Sequence, residues 1–261
     1  MQIGRGRGTP IPSMPVMSAP ARRGEYGVDA PYVPAYMALG ALALLLTAAL
    51  SAALEWSAWS FFLSGALYLV ASIALYLYAS RVGKFAIWSE ILDQLRLRGD
   101  ERVLDLGCGR GAVLLLAAQR VPRGGAVGID LWKTADQSGN SEDATLRNAA
   151  LEGVRDRIEL RTADMRALPF ADGEFDVVLS SLAIHNITDA AGRLTAIDEA
   201  VRVLGPDGRI AIADIAATDA YAERLRRAGC VDVSVRSLGW RAWYGGPWVA
   251  GRLVRAKKPA R

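Results

Sequence analysis

Two stretches without a charged side chain, 30–54 and 56–80, constrain this chain more than any other feature. Residues 35–54 alone, at about 1.5 Å of rise per helical residue, reach roughly 30 Å, the hydrocarbon thickness of a bilayer. Helices of a soluble core rarely stay uncharged for so long, because one of their faces meets water. Glu55 alone divides the two runs, so the chain has to turn tightly there and bring both outer ends back to one side. The expectation is a transmembrane hairpin with helices at about 35–54 and 57–80.

The flanks orient that hairpin. Arg5, Arg7, Arg22 and Arg23 precede it and Arg81 and Lys84 follow it, whereas the turn offers only an acidic residue. The positive-inside rule then puts both termini, and everything after residue 80, in the cytoplasm at an inner or plasma membrane. Tyr32, Tyr36, Tyr76 and Tyr78 fall near one interface, Trp56 and Trp59 near the other. Ala48 and Ala52 on one helix and Ser60 and Ser64 on the other are small enough to let the helices approach closely. No ionisable group inside either span marks a transport path, so the hairpin reads as an anchor. Residues 1–34, rich in proline, glycine and arginine, read as a flexible basic tail. The apolar run after them is too long for the apolar region of a signal peptide.

The remainder, 81–261, has the composition of a soluble α/β domain. In the whole chain of 261 residues 52% are apolar and 22% charged, enough to build a substantial core. The net charge of +4 is too small an excess to suggest a nucleic-acid partner. Cys108, Cys230 and a single histidine offer none of the usual zinc spacings, so no metal site is expected. Ile87, Trp88, Ile91, Leu92 and Leu95 share one face of a helix that Gly99 is expected to end. Short apolar runs at 102–106, 126–130, 157–163, 175–180 and 209–214 then alternate with helical patterns, which predicts a doubly wound, parallel sheet. Runs at 231–237 and 248–255 flank a Tyr244-Gly245-Gly246-Pro247 turn and read as a closing hairpin. Arg252, Arg255, Lys257, Lys258 and Arg261 read as a solvated basic end that can meet anionic lipid.

The strongest local signal is Val103-Leu104-Asp105-Leu106-Gly107-Cys108-Gly109-Arg110-Gly111, a buried strand running into glycines and then a helix at 112–120. Glycines allow a tight turn and let a ligand approach bare backbone. Gly107, Gly109 and Ala112 also satisfy the spacing of a dinucleotide site. Asp105 favours a different ligand, because a carboxylate at this turn repels pyrophosphate and welcomes an ammonium group. Asp130, at the end of the second strand in Val127-Gly128-Ile129-Asp130, can accept two hydroxyl hydrogen bonds, which does not discriminate between nucleotide-type ligands.

The segment resembles motif I of the class I S-adenosylmethionine-dependent methyltransferases, in which an acidic residue precedes G-x-G-x-G. The resemblance runs from about residue 100 to 215. It continues through Val127 to Asp130, Arg161-Thr162-Ala163-Asp164-Met165-Arg166-Ala167-Leu168-Pro169-Phe170, Phe175 to Ser181, and Glu199 to Ile215. Within that class the pattern is similar to the type 11 group, which methylates quinone precursors and other small molecules. The resemblance implies a Rossmann-like seven-stranded methyltransferase sheet with helices on both faces, following the membrane hairpin. It implies S-adenosylmethionine as cofactor, bound by Asp105, Gly107, Cys108, Gly109, Gly111, Asp130 and Leu131, with Asp130 on the ribose hydroxyls. Asp164 and Met165 would meet the adenine, and Ser180 or Ser181 would line the site. Cys108 reads as a small filler between glycines whose backbone meets the cofactor.

His185, the sole histidine, follows the fourth strand where an acceptor could approach, which makes it the candidate general base. Residues 131–140, long for a strand-to-helix connection, read as a loop or a lid over the ligand crevice. Trp240, Trp243, Tyr244 and Trp248 either pack the terminal turn or form an apolar wall for substrate. The expected function is methyl transfer to a small or lipid-soluble acceptor by a membrane-anchored enzyme. The competing expectation is a membrane-tethered scaffold or assembly factor that keeps the methyltransferase fold.

Overall fold

The computed structural model describes residues 22–260. It opens with two antiparallel helices, α1 (Tyr32–Ala53) and α2 (Trp59–Tyr78), joined by a short turn in which Glu55 takes a left-handed backbone. Both are long and apolar enough to cross a membrane. Most of the residues in their apolar stretches are not buried against the rest of the described residues. Leu46, Phe61 and Leu67 are more than half exposed on their outer faces.

The small residues at the helix contact differ from those expected. Ala41, Ala48 and Ser51 of α1 and Ala66 and Ser72 of α2 are buried, and Gly40 and Gly65 abut Leu69 and Leu44. Of Ala48, Ala52, Ser60 and Ser64, only Ala48 lies in the interface. Ser64 instead donates its hydroxyl hydrogen to the Ser60 carbonyl one turn back on its own helix (2.7 Å).

The change in composition at residue 81 does not break the chain's geometry. From Tyr78 the helix passes through one π-helical turn (Ala79–Gly83) directly into α3 (Lys84–Leu95), because no proline interrupts it and Gly83 keeps helical angles. A side chain at Gly83 would collide with the Arg241 carbonyl, so glycine there permits close backbone packing. The helix stops earlier than Gly99, at Arg96, which adopts the left-handed conformation.

Seven strands follow: β1 (Arg102–Leu106), β2 (Gly125–Asp130), β3 (Ile158–Thr162), β4 (Phe175–Ser181), β5 (Leu204–Asp214), β6 (Val231–Ser237) and β7 (Arg252–Lys257). Between them lie α4 (Ala112–Arg120), α5 (Glu142–Leu151), α6 (Ala190–Val203) and α7 (Thr218–Arg227). The sheet order is β3-β2-β1-β4-β5-β7-β6, parallel except for β7, which runs antiparallel to both neighbours. The sheet is therefore mixed rather than wholly parallel. One apolar layer packs α3 and α4 on one face, and a second packs α6 and α7 on the other. Strands buried on both faces read as continuous apolar runs, which is why Leu104, Leu106, Val177, Val178 and Leu179 could be recognised from sequence.

Two terminal expectations are corrected. The strand expected at 248–255 runs instead from Arg252 to Lys257, so Lys257 of the expected solvated basic end is also part of β7, which lies between β5 and β6. Lys258 donates to the carbonyls of Val201 and Leu204 at the end of α6 (2.9 and 2.6 Å). At the other terminus residues 22–31, expected to be a flexible tail, are bound to the domain; residues 1–21 lie outside the described residues. Glu152 accepts the backbone N–H groups of Arg23 and Gly24 (2.9 and 2.8 Å), Asn148 accepts that of Glu25 (2.9 Å), and Tyr26 is buried. The segment is polar in composition but has partners for its backbone, and that is what orders it.

Candidate active site

β1 ends at Leu106, and the next turn places Gly107, Gly109 and Gly111 in left-handed conformations (φ +73°, +52° and +86°) that other residues adopt only with strain. A Cβ on Gly107 would run into Ala183, and one on Gly109 into the side-chain carbonyl of Gln137. The backbone N–H groups of Gly107 and Cys108 donate to the Ile129 carbonyl (2.9 and 3.0 Å), and that of Gly109 to Oδ2 of Asp130 (2.8 Å). The other Asp130 oxygen accepts from the Trp132 backbone (2.6 Å) and from Nδ2 of Asn140 (3.1 Å). Asp130 is thereby held at the carboxyl edge of β2, beside the turn.

Asp105 is buried, 1% exposed, and neither of its carboxylate oxygens has a hydrogen-bond partner. Loss of hydration, reinforced by the negative charge of Asp130, pushes its pKa up to about 7. A buried carboxylate left unpartnered costs stability unless something supplies charge and hydrogen bonds. Burial also pushes the Cys108 thiol well up, and Asp105 and Asp130 add to it, so Cys108 is a filler rather than a nucleophile.

One cleft gathers most of the residues the sequence singles out. Asp105, Gly107, Cys108, Gly109, Asp130, Leu131, Asp164 and Met165 line it, with Gly111 behind them as the residue that starts α4. Asp164 sits at the exit of β3 and is held by Arg166, whose guanidinium at 2.6 Å keeps its carboxyl below the usual range. Ser180 is a correction. Successive strand residues face opposite sides, so Ser180 turns inward and donates to the Leu106 carbonyl (3.0 Å), while Ser181 lines the cleft and accepts from Nε1 of Trp88 (2.9 Å). His185 stands behind the rim made by Leu182, Ala183 and Asn186. Its Nδ1 lies 2.5 Å from Oδ1 of Asp214, a fully buried carboxylate at the end of β5.

Asp29, Lys84 and Gln137 also line the cleft; Gln137 belongs to the loop expected as a lid, whereas the sequence assigns neither Asp29 nor Lys84 to the site. Gln137 accepts from the Arg110 backbone (2.7 Å) and donates to the Tyr26 carbonyl (3.0 Å). Loop 131–140 and segment 26–30 also exchange backbone bonds, Ala30 to Asp136 (2.8 Å) and Ser138 to Val28 (3.0 Å). The expected lid is thus a double layer, pinned by the chain that leads into α1. The length of the loop signalled its role, but nothing local to Asp29 or Lys84 did. Among the described residues no cluster of acidic, cysteine or histidine side chains could hold a metal.

The fold and site define a class: a Rossmann-like sheet whose cleft at the strand ends is lined by a glycine turn, the Asp130 carboxylate and the buried, unpartnered Asp105 carboxylate. Residues 104–212 match the model of a methyltransferase domain family. The chain is 35% identical over 152 residues to 27-O-demethylrifamycin SV methyltransferase of Amycolatopsis mediterranei, covering 55% of this chain and 52% of that one. It is 33% identical over 131 residues to the ubiquinone/menaquinone biosynthesis C-methyltransferase UbiE of Dinoroseobacter shibae, covering 50% and 49%. The chain spans about half the length of the curated relatives it matches. Among solved structures, a SAM-dependent methyltransferase from Aquifex aeolicus shares the fold with a TM-score of 0.52 at 19% identity, over 65% of this chain and 88% of that one. Residues 104–212 are thus similar in sequence to methyltransferase domains, and the sheet has the fold found in the S-adenosylmethionine-dependent methyltransferase from Aquifex aeolicus.

Proposed function

We propose that the whole chain is a membrane-anchored methyltransferase acting on a small or lipid-soluble acceptor. The observation that carries this reading is Asp105, whose two buried oxygens have no hydrogen-bond partner and which lines the same cleft as Asp130. An ammonium group satisfies both oxygens and removes the cost of leaving them buried. Asp105 and the glycine turn would hold the methionyl end of the cofactor, Asp130 the ribose hydroxyls, and Asp164 with Met165 the adenine. When bound, S-adenosylmethionine supplies a methyl group already activated on a sulfonium. The protein's remaining work is alignment, exclusion of water and acceptance of a proton where the acceptor carries one. The lid of segment 26–30 over loop 131–140 supplies the exclusion. An ionised Asp214 would favour the tautomer of His185 with its proton on Nδ1 and leave Nε2 free to accept one, and His185, which stands just behind the cleft rim, is the candidate to receive a proton from the acceptor.

The hairpin supports a bilayer as the place of action, since its outward side chains are apolar and exposed. Its flanking arginines and Lys84 support a cytoplasmic catalytic domain. An acceptor that lives in or near the bilayer fits a cleft whose roof is built from the chain entering α1.

Calorimetric titration of the full chain in lipid nanodiscs tests the reading. Saturable binding of S-adenosylmethionine, lost in Asp105→Asn and weakened in Asp130→Ala, supports it, and labelled-methyl transfer into a membrane extract establishes the activity. Binding without transfer to any extract favours the scaffold instead.

A further inference from the structure

The connection between β6 and β7 is uncharged from Ala242 to Gly251, yet it carries the most exposed tryptophans of the catalytic domain, Trp240 (54%) and Trp248 (62%). The arginines at its two ends are already neutralised. Arg241 pairs with Glu90 (2.7 and 2.9 Å) and Arg252 with Asp219 (2.6 and 2.9 Å).

This loop does not stop at the foot of the hairpin. Trp240 stacks on Tyr78 at the end of α2 (centroids 5.0 Å), but Trp248 lies against Tyr68 (5.7 Å), and Gly245 abuts Met37 of α1. Tyr68 precedes Tyr78 by enough helix to stand roughly 15 Å farther along its axis. That is about half the thickness of a hydrocarbon core. If α2 crosses a bilayer, the space beside the exposed face of Trp248 is lipid.

Part of the loop's backbone is hydrogen-bonded within the loop, and the N–H groups of Gly246, Trp248 and Ala250 are not. Irregular chain at membrane depth has to satisfy its own polar groups. Here Tyr244 donates to Val249 (2.9 Å), Gly245 to Trp243 (3.0 Å), Val249 to Gly246 (3.2 Å) and Gly251 to Ala242 (2.8 Å), while Pro247 has no N–H to satisfy. Tyr244 turns inward and packs with Tyr76, Leu182 and Ile215, and Leu182 also lines the cofactor cleft.

We propose that loop 240–251 is a third membrane element, inserted among the acyl chains of the leaflet nearest the catalytic domain and forming the wall between that leaflet and the cleft. The proposal rests on the hairpin being membrane-embedded, as argued above. Its partner is the hydrocarbon of the bilayer, because the loop's exposed surface continues the apolar surface of α1 and α2 and adds no free charge.

Depth quenching tests it. The full chain is reconstituted in phosphatidylcholine/phosphatidylglycerol vesicles with an environment-sensitive fluorophore on one introduced cysteine: Trp248→Cys, Trp240→Cys, Val70→Cys on the exposed face of α2, or Asp156→Cys on the water-exposed domain. Cys108 and Cys230 are buried and stay unlabelled. Nitroxide on the acyl chains is expected to quench positions 248 and 70 several-fold more than 156, with 240 intermediate. Quenching at 70 with 248 and 240 no stronger than 156 overturns the proposal and leaves the hairpin standing. Absence of quenching at 70 as well overturns both. Shielding of 248 together with its crosslinking between two copies overturns the lipid partner in favour of a self-interface.

Discussion

Lys84, the first residue of α3, donates to both carboxylate oxygens of Asp29, at 2.8 and 2.9 Å, with the lysine 6% and the aspartate 14% exposed. Ser80 donates to the same carboxylate (2.9 Å), and Gln137 of the lid approaches it at 3.4 Å. The pair therefore joins three things: the segment that enters the hairpin, the helix that leaves it, and the roof of the cleft. Removing one partner of a buried pair leaves the other charge uncompensated, at a typical cost of about 3 kcal/mol. Lys84→Met should lower the unfolding midpoint of the full chain by several degrees and weaken cofactor binding by loosening the lid. The double variant Asp29→Asn/Lys84→Met should recover part of the loss in thermal melts, and a strictly additive double variant would show that the two side chains are not coupled.

Asp105 sets a pH signature. Its folded-state pKa of about 7 lies above the ordinary 3.8, so the free protein binds an extra proton between these values and loses stability as pH rises through that window. Asp105→Asn escapes that loss, and its melting advantage over the parent should grow from pH 5 to pH 8. A bound ammonium group demands the ionised form, so cofactor affinity in the parent should rise by up to about tenfold per pH unit below pH 7 and level off above it. In Asp105→Asn affinity should be low and flat with pH. Titrations in buffers of different ionisation enthalpy check it through the proton released on binding.

The contact between His185 and Asp214 gives a kinetic prediction. His185→Ala should leave cofactor binding intact and lower turnover by about 10²-fold or more where the acceptor has to lose a proton. Asp214→Asn, which disturbs the proton on Nδ1, should act in the same direction. Turnover unchanged in His185→Ala would remove the residue from the chemistry and leave it as a support for the loop after β4.

Gly107→Ala tests the turn. The new methyl group meets Ala183, and the residue has to hold φ +73°, which costs other residues about 1–2 kcal/mol before any steric clash is added. Reduced melting temperature with strongly weakened cofactor binding is expected. Gly153→Ala, also at positive φ but with open space around it, should share the backbone cost without the loss of binding.

Much of the site was legible because it is local. Asp105, the glycines and Asp130 lie within one strand–turn–helix and the next strand end, where residue type and spacing follow directly from backbone geometry. Ser180 and Ser181 are both candidates in sequence because they are adjacent and only the strand's orientation in the sheet decides which one faces the cleft. Asp29 and Lys84 were missed because their sequence separation from the rest of the site is long and each has an ordinary surface reading on its own.

Periodicity and charge, which need no tertiary contact, determined the two apolar helices, the α/β alternation and the cofactor turn. The tertiary structure decided how those parts meet: that one helix runs unbroken from hairpin into domain, that segment 22–31 is roof rather than tail, and that loop 240–251 climbs the hairpin. The physical reason is that burial and pairing of polar groups are properties of distant residues brought together. A run of apolar residues states that it will avoid water, but only the packed chain determines what it will meet instead.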